Sequence, residues 1–205
     1  MTRCRDSSQG SGHAWHRGRH RSPTTRRRSV ELGAFGQARA YCASPWQRLR
    51  EIADQYGVIL IADEVITGFG RTGEYFAPMN WDVQPDITTV AKAITSGYAP
   101  LGAAVATKKI ADAFIGGAGE TFKHLITFGG HPVAAAAALA NLNIFEREDL
   151  VGNSKRMGNY LFEQLQSLFS HKIVGDVRGG LGLLAAVELV ADRESKTPFP
   201  ASAGL

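Results

Sequence analysis

From residue 45 onward the apolar positions follow two alternating periods. Trp46, Leu49, Ile52, Ala53 and Tyr56 recur at helical spacing and share one face, and Gly57 stops the run, so a helix is predicted over 46–56. Val58 to Ala62 is continuously apolar, as expected of a strand buried on both faces. Further strands are predicted at 87–90 and 101–106, a short helix at 108–115 and a glycine loop at 116–119. An Ala-packed helix follows at 132–146, opened by Pro132 at its first position, and a second long helix at 150–169. Strands at 173–177 and 183–190 complete the pattern. Strands alternating with helices in this way predict an α/β fold.

Residues 1–44 do not share this pattern. They are rich in Arg, Ser, Gly and His, with neither strand alternation nor a helical apolar stripe, and are expected to be disordered. The segment holds nine Arg and no Lys against Asp6 and Glu31, a net +7, which leaves −3 on the other 161 residues of a chain whose total is +4. The basic character therefore belongs to the segment and not to the body. An Arg-rich arm for nucleic acid, an organellar transit peptide and an out-of-frame translation joined to a real coding region all fit the composition. The abruptness of the change favours the last, and the Gly and Pro content opposes the amphipathic helix of a transit peptide.

Composition adds little more. A hydrophobic fraction of 44% and a charged fraction of 20% are ordinary for a globular domain, and no apolar run reaches the length of a membrane span. The two cysteines, Cys4 and Cys42, form no metal-ligand or disulfide pattern, so a reducing, cytoplasmic setting is the default and no metal is expected.

The chemistry gathers at two strand ends. Asp63 closes the run Val58 to Ala62, and Lys92, 29 positions later, follows the run Ile87 to Ala91. A carboxylate and an amine at the ends of buried strands are costly unless something there needs them. In open α/β sheets ligands gather at the carboxyl ends of strands. Pyridoxal 5′-phosphate, which joins a lysine as a Schiff base and holds a protonated ring nitrogen against an aspartate, would need this pair. After Asp63 come Gly68, Gly70 and Gly73, three glycines in six positions, which require a tight turn or a close approach. Taken singly, Asp63 reads as a turn cap, Lys92 as a snorkelling lysine and Thr127 to Pro132 as a loop running into a helix start. Their joint order and spacing favour a site.

The runs Leu60 to Gly73, Pro85 to Lys92, Pro100 to Ala103 and Thr127 to Pro132 resemble the class III, or ω-amino-acid type, aminotransferases of pyridoxal-phosphate fold type I, over roughly residues 45–205. The resemblance implies a partial fold type I large domain over 45–149 and the start of a small α+β C-terminal domain over 150–205. It implies that Asp63 pairs with the pyridinium nitrogen, Val65 packs on the ring, Lys92 carries the cofactor, and Thr127 binds the cofactor phosphate across a homodimer interface. Asp63 would keep the ring nitrogen protonated, and the freed Lys92 amine would act as general base, a task an arginine cannot take because it stays protonated. The hydroxyl and backbone N–H of Thr127, near a helix start, suit a phosphate.

The implied activity is transfer of an amino group from an ω-amino acid or amine to a keto acid such as pyruvate. The family is about twice as long as this chain. Its Gly-Ser phosphate turn, its ring-stacking aromatic and a glutamate upstream of the aspartate strand are not found in residues 1–44, and its carboxylate-reading arginine falls beyond Leu205. The expectation is half of a cofactor site, with no turnover by these 205 residues alone. The alternatives are an inactive truncated or frameshifted remnant, a 2,2-dialkylglycine decarboxylase or aminomutase of the same fold, and a basic-armed nucleic-acid-binding module.

Overall fold

The computed structural model describes residues 29–32 and 45–204. Strands β1 (Ser29–Leu32), β2 (Ile59–Asp63), β3 (Ile87–Val90) and β4 (Ala103–Ala106) form one sheet in that order. The first three run parallel and β4 is antiparallel to β3. The three strands expected at 58–62, 87–90 and 101–106 thus share a sheet.

One expectation is corrected. Residues 1–44 are not structureless throughout, because Ser29–Leu32 pairs in parallel with β2, from Ser29 beside Ile59 to Leu32 beside Ala62. A strand of four residues is too short to display a two-residue period, and it lies next to an arginine run. The rest of that expectation concerns residues outside those described.

Helix α1 (Pro45–Tyr56) packs on β2. Trp46 and Ala53 from the helix meet Leu60 and Ala62 from the strand, and Val83 closes the cluster. Trp46 stacks on Trp81 at 6.4 Å between ring centroids, and Gln47 Nε2 donates to the Trp81 carbonyl. Trp81 ends a 3₁₀ turn, Ala77–Trp81, that the hydrophobic pattern did not predict. Leu60 and Ala62 are fully buried, whereas Ile59, Ile61 and Asp63 are only half-buried. Among the described residues, then, β2 is covered well on one face, not on both as its apolar run suggested.

Asp86 ties the sheet to α1. Its Oδ2 accepts from Arg50 Nη1 at 2.8 Å and from the Leu60 N–H at 2.9 Å, while its own N–H donates to the Leu60 carbonyl. Burial acts to raise the Asp86 pKa, but the Leu60 N–H and the Arg50 guanidinium outweigh it, and the net shift is downward. A depressed carboxylate stabilises the fold above its unfolded pKa and loses that contribution as pH falls through its folded pKa. Asp86→Ala, which removes the acceptor of the Leu60 N–H and one of the two carboxylates of Arg50 while Asp54 still pairs with it, is expected to cost about 1–2 kcal/mol at neutral pH in urea unfolding. The gap between parent and variant should shrink below about pH 4. A gap that stays constant on acidification would contradict this role.

Helices α2 (Lys108–Ala111), α3 (Pro132–Arg147) and α4 (Leu150–Gln166) follow the sheet, and β5 (Val174–Leu181) and β6 (Leu184–Leu189) form an antiparallel hairpin packed on α4. The hairpin turn meets the glycine-rich loop after β2. Leu183 N–H donates to the Arg71 carbonyl at 2.9 Å. Gly182 has φ +51°, and a Cβ there would strike the Gly73 nitrogen and the Arg71 oxygen. A Cβ on Gly158 of α4 would strike the Gly182 carbonyl. Three backbones therefore meet where only hydrogens fit. Gly182→Ala is expected to destabilise by about 2–4 kcal/mol, from overpacking plus left-handed strain, read as a lowered thermal midpoint. An unchanged midpoint would show that this contact yields freely. Among the described residues no helix is long and apolar enough to cross a membrane.

Candidate active site

Because β2 and β3 are parallel, their carboxyl ends lie on one edge of the sheet. Asp63, the last residue of β2, stands in register with Thr89 of β3, and the next N–H, Glu64, donates to the Thr89 carbonyl at 2.9 Å. Lys92 comes three residues after Thr89. The structure thus brings Asp63 and Lys92 to the same sheet edge, one at the end of β2 and the other two residues beyond the end of β3.

The chain turns sharply after Asp63. Its Oδ1 accepts from the Val65 N–H at 3.1 Å, a local turn that fixes the carboxylate, and among the described residues nothing bonds Oδ2. Gly68 N–H donates to the Glu64 carbonyl, and a Cβ on Gly68 would lie 2.7 Å from that oxygen, so the tight turn explains the glycine. Glu64 is fully buried, and its Oε2 accepts from the Ala77 N–H at 2.9 Å, anchoring the loop that follows. Sequence reasoning missed this role of Glu64. A carboxylate placed directly after an apolar strand was the available signal. Val65 sits half-buried, two residues beyond Asp63.

Lys92 occupies the left-handed region, with φ +46°, immediately after the extended Ala91. A residue with a Cβ pays about 1–2 kcal/mol for that conformation, and glycine would avoid the cost. Lysine here, exposed at a strand end, is the kind of strain that collects at functional sites. The 3₁₀ turn Lys92–Ile94 follows, closed by Thr95 N–H to the Lys92 carbonyl and Ser96 N–H to the Ala93 carbonyl. Thr95 is buried, and its hydroxyl donates to the Ala99 carbonyl at 2.6 Å. From α3, Asn141 reaches this same turn with three hydrogen bonds.

Thr127 is separate from this edge in its bonding: it is exposed, and among the described residues no hydrogen bond joins it to Asp63 or Lys92. Its loop runs into α3 through His131 N–H to the Phe128 carbonyl and Ala135 N–H to the His131 carbonyl. The surroundings are apolar and open, with Phe122, Ile126 and Phe128 exposed and Leu125 97% exposed.

A cavity of about 560 Å³ lies elsewhere, bordered by Phe76, Met79, Asp82, Thr88 and Val105. Neither Asp63, Lys92 nor Thr127 lines it, and it offers a carboxylate but no amine. The sequence-predicted site residues therefore lie apart from this cavity. Among the described residues no cluster of His, Cys, Asp and Glu could hold a metal ion.

Comparison with known proteins shows the family. Residues 33–203 match the family described as aminotransferase class-III, a match that begins upstream of the quoted motifs. The chain is 46% identical over 161 residues to a taurine–pyruvate aminotransferase of Bilophila wadsworthia, covering 77% of this chain and 35% of that protein. Among solved structures, it resembles a thermostable (S)-enantioselective omega-transaminase from Thermomicrobium roseum, with TM-score 0.76 and 45% identity over 80% of this chain and 36% of that one. It also resembles an amine transaminase from an uncultivated Pseudomonas species, solved in its PLP-bound form, with TM-score 0.75 and 49% identity over 79% and 37% of the two chains. The chain thus spans about a third of the length of the relatives it matches.

Proposed function

Because the chain belongs to the class-III aminotransferases, we propose that it carries the lysine-bearing part of a pyridoxal-phosphate site that moves an amino group from an ω-amino acid or amine to a keto acid such as pyruvate. The observation that carries this reading is that the left-handed Lys92 and Asp63 share the sheet edge at the carboxyl ends of neighbouring parallel strands.

The residues present suit pyridoxal phosphate. An amine and a carboxylate share one sheet edge, and Asp63 has an oxygen unbonded among the described residues. When bound, the cofactor supplies an aldehyde that takes up an amine covalently and a ring that withdraws electrons from the substrate's reacting carbon. Lys92 Nζ would hold the cofactor and would serve as the base that takes and returns the proton of that carbon. Asp63, its orientation fixed by the Val65 N–H, would hold a proton on the ring nitrogen. Val65 would pack against the ring.

In this reading residues 45–149 belong to the cofactor-binding domain, 150–205 begin a small C-terminal domain, and the protein works in the cytoplasm. Thr127 serves a phosphate held by a second subunit, which the exposed apolar loop around it supports. The 205-residue chain is then expected to self-associate as concentration rises. A monodisperse monomer in light scattering at high concentration would count against that interface.

Titration of the purified chain with pyridoxal phosphate tests the site itself. A visible absorbance band of lysine-bound cofactor is expected in the parent and absent in Lys92→Ala. An identical band in the variant would remove Lys92 from the site.

A further inference from the structure

We propose that Asn141 is the positioning residue for Lys92: from α3 it clamps the turn that carries the lysine and fixes the direction from which Nζ approaches the cofactor. This rests on the assignment of Lys92 as the cofactor-bearing amine. Asn141 Nδ2 donates to the Ala93 carbonyl at 2.8 Å and to the Ile94 carbonyl at 3.1 Å, and Oδ1 accepts from the Ser96 hydroxyl at 2.9 Å. One amide thus engages three residues of the turn, Ala93, Ile94 and Ser96, from a helix nearly fifty residues away in sequence.

The turn needs such support. Its first residue, Lys92, sits in the left-handed region, and Ser96 and Gly97 near its end do so too, at φ +49° and +82°. Two residues with a Cβ in that region within five positions make a segment that would relax if released. Its own backbone bonds are long, 3.2 Å for Ile94 N–H to the Ala91 carbonyl and 3.3 Å each for Thr95 and Ser96. Asn141 supplies the shorter bond to the Ala93 carbonyl and gives the Ile94 carbonyl a donor. It is partly buried, in a helix whose apolar residues are mostly alanine. Neither packing nor helix propensity calls for asparagine there. A base that must return to one carbon atom loses rate steeply when its anchor shifts by about an ångström, so a clamp on the anchor bears on catalysis without touching substrate.

Hydrogen exchange on the 205-residue chain tests this without cofactor. In Asn141→Ala and in the isosteric Asn141→Asp, which replaces the donor by an oxygen facing two carbonyls, the amides of Ile94, Thr95 and Ser96 should exchange about thirtyfold faster, the effect of losing two neutral hydrogen bonds. The β2 and β3 amides should stay unchanged. Ser96→Ala, which keeps both donors, should change the same amides only a few-fold. The φ-sensitive coupling of Lys92, measured by NMR, should move away from its left-handed value in both Asn141 variants, a change that general destabilisation of α3 would not produce. Unchanged amides and coupling in both variants would overturn the proposal, as would an acceleration spread evenly over α3 and the sheet. Failure of the parent to take up pyridoxal phosphate would strike the cofactor assignment alone, because these readouts need none.

Discussion

Replacing Lys92 with alanine is expected to cut amino transfer by about 10⁴-fold in a class-III aminotransferase whose matching segment has been exchanged for residues 45–205 of this chain. The change removes two functions at once. A positioned general base contributes typically 10²–10⁴-fold, and the upper end applies because the covalent anchor for the cofactor goes with it. The fold should survive, since Lys92 is exposed and alanine relieves none of the contacts that hold β3. Steady-state rates with an amine donor and pyruvate, beside an unfolding curve for each protein, separate these effects. A Lys92→Ala variant within tenfold of its parent would overturn the assignment.

Asp63→Asn in the same chimera should keep the cofactor on Lys92 but lower the rate on the order of a hundredfold or more, as when other preorganised charge partners are removed. The amide retains an oxygen for the Val65 N–H, so the local turn should persist. It can no longer hold a proton on the ring nitrogen by charge. The loss should fall on the rate of proton abstraction and leave donor binding nearly as it was. A deuterium isotope effect that stays the same or shrinks in the variant would contradict that placement.

Some of this architecture could be read from residues alone, for a physical reason. Asp63 and Lys92 stand out because each puts a charge at the end of an apolar run, an arrangement that costs free energy wherever it lacks a use. The helices at 45–56, 132–147 and 150–166 are long enough for periodicity to speak. Short elements were not: Ser29–Leu32 has four residues, and the 3₁₀ turn at Ala77–Trp81 follows no apolar period. The roles of Asn141, Asp86 and Gly182 were also hidden. Each depends on a partner far along the chain, the Lys92 turn for Asn141, Arg50 for Asp86 and Gly73 for Gly182. Local sequence carries no record of such meetings. The left-handed backbone at Lys92 belongs to the same group, since nothing in the residues around it announces a positive φ.

The family relationship predicts a cofactor-bearing lysine, and the proposal is that Lys92 at this sheet edge is that lysine. Incubating the 205-residue chain with pyridoxal phosphate, reducing with borohydride and mapping the labelled peptides tests this most directly. Lys92 should carry most of the label, and Asp63→Asn should leave it there. Label shared among Lys123, Lys155, Lys172 and Lys92 according to exposure would contradict the account, because an ordinary surface amine would then serve as well as the one held at the end of β3.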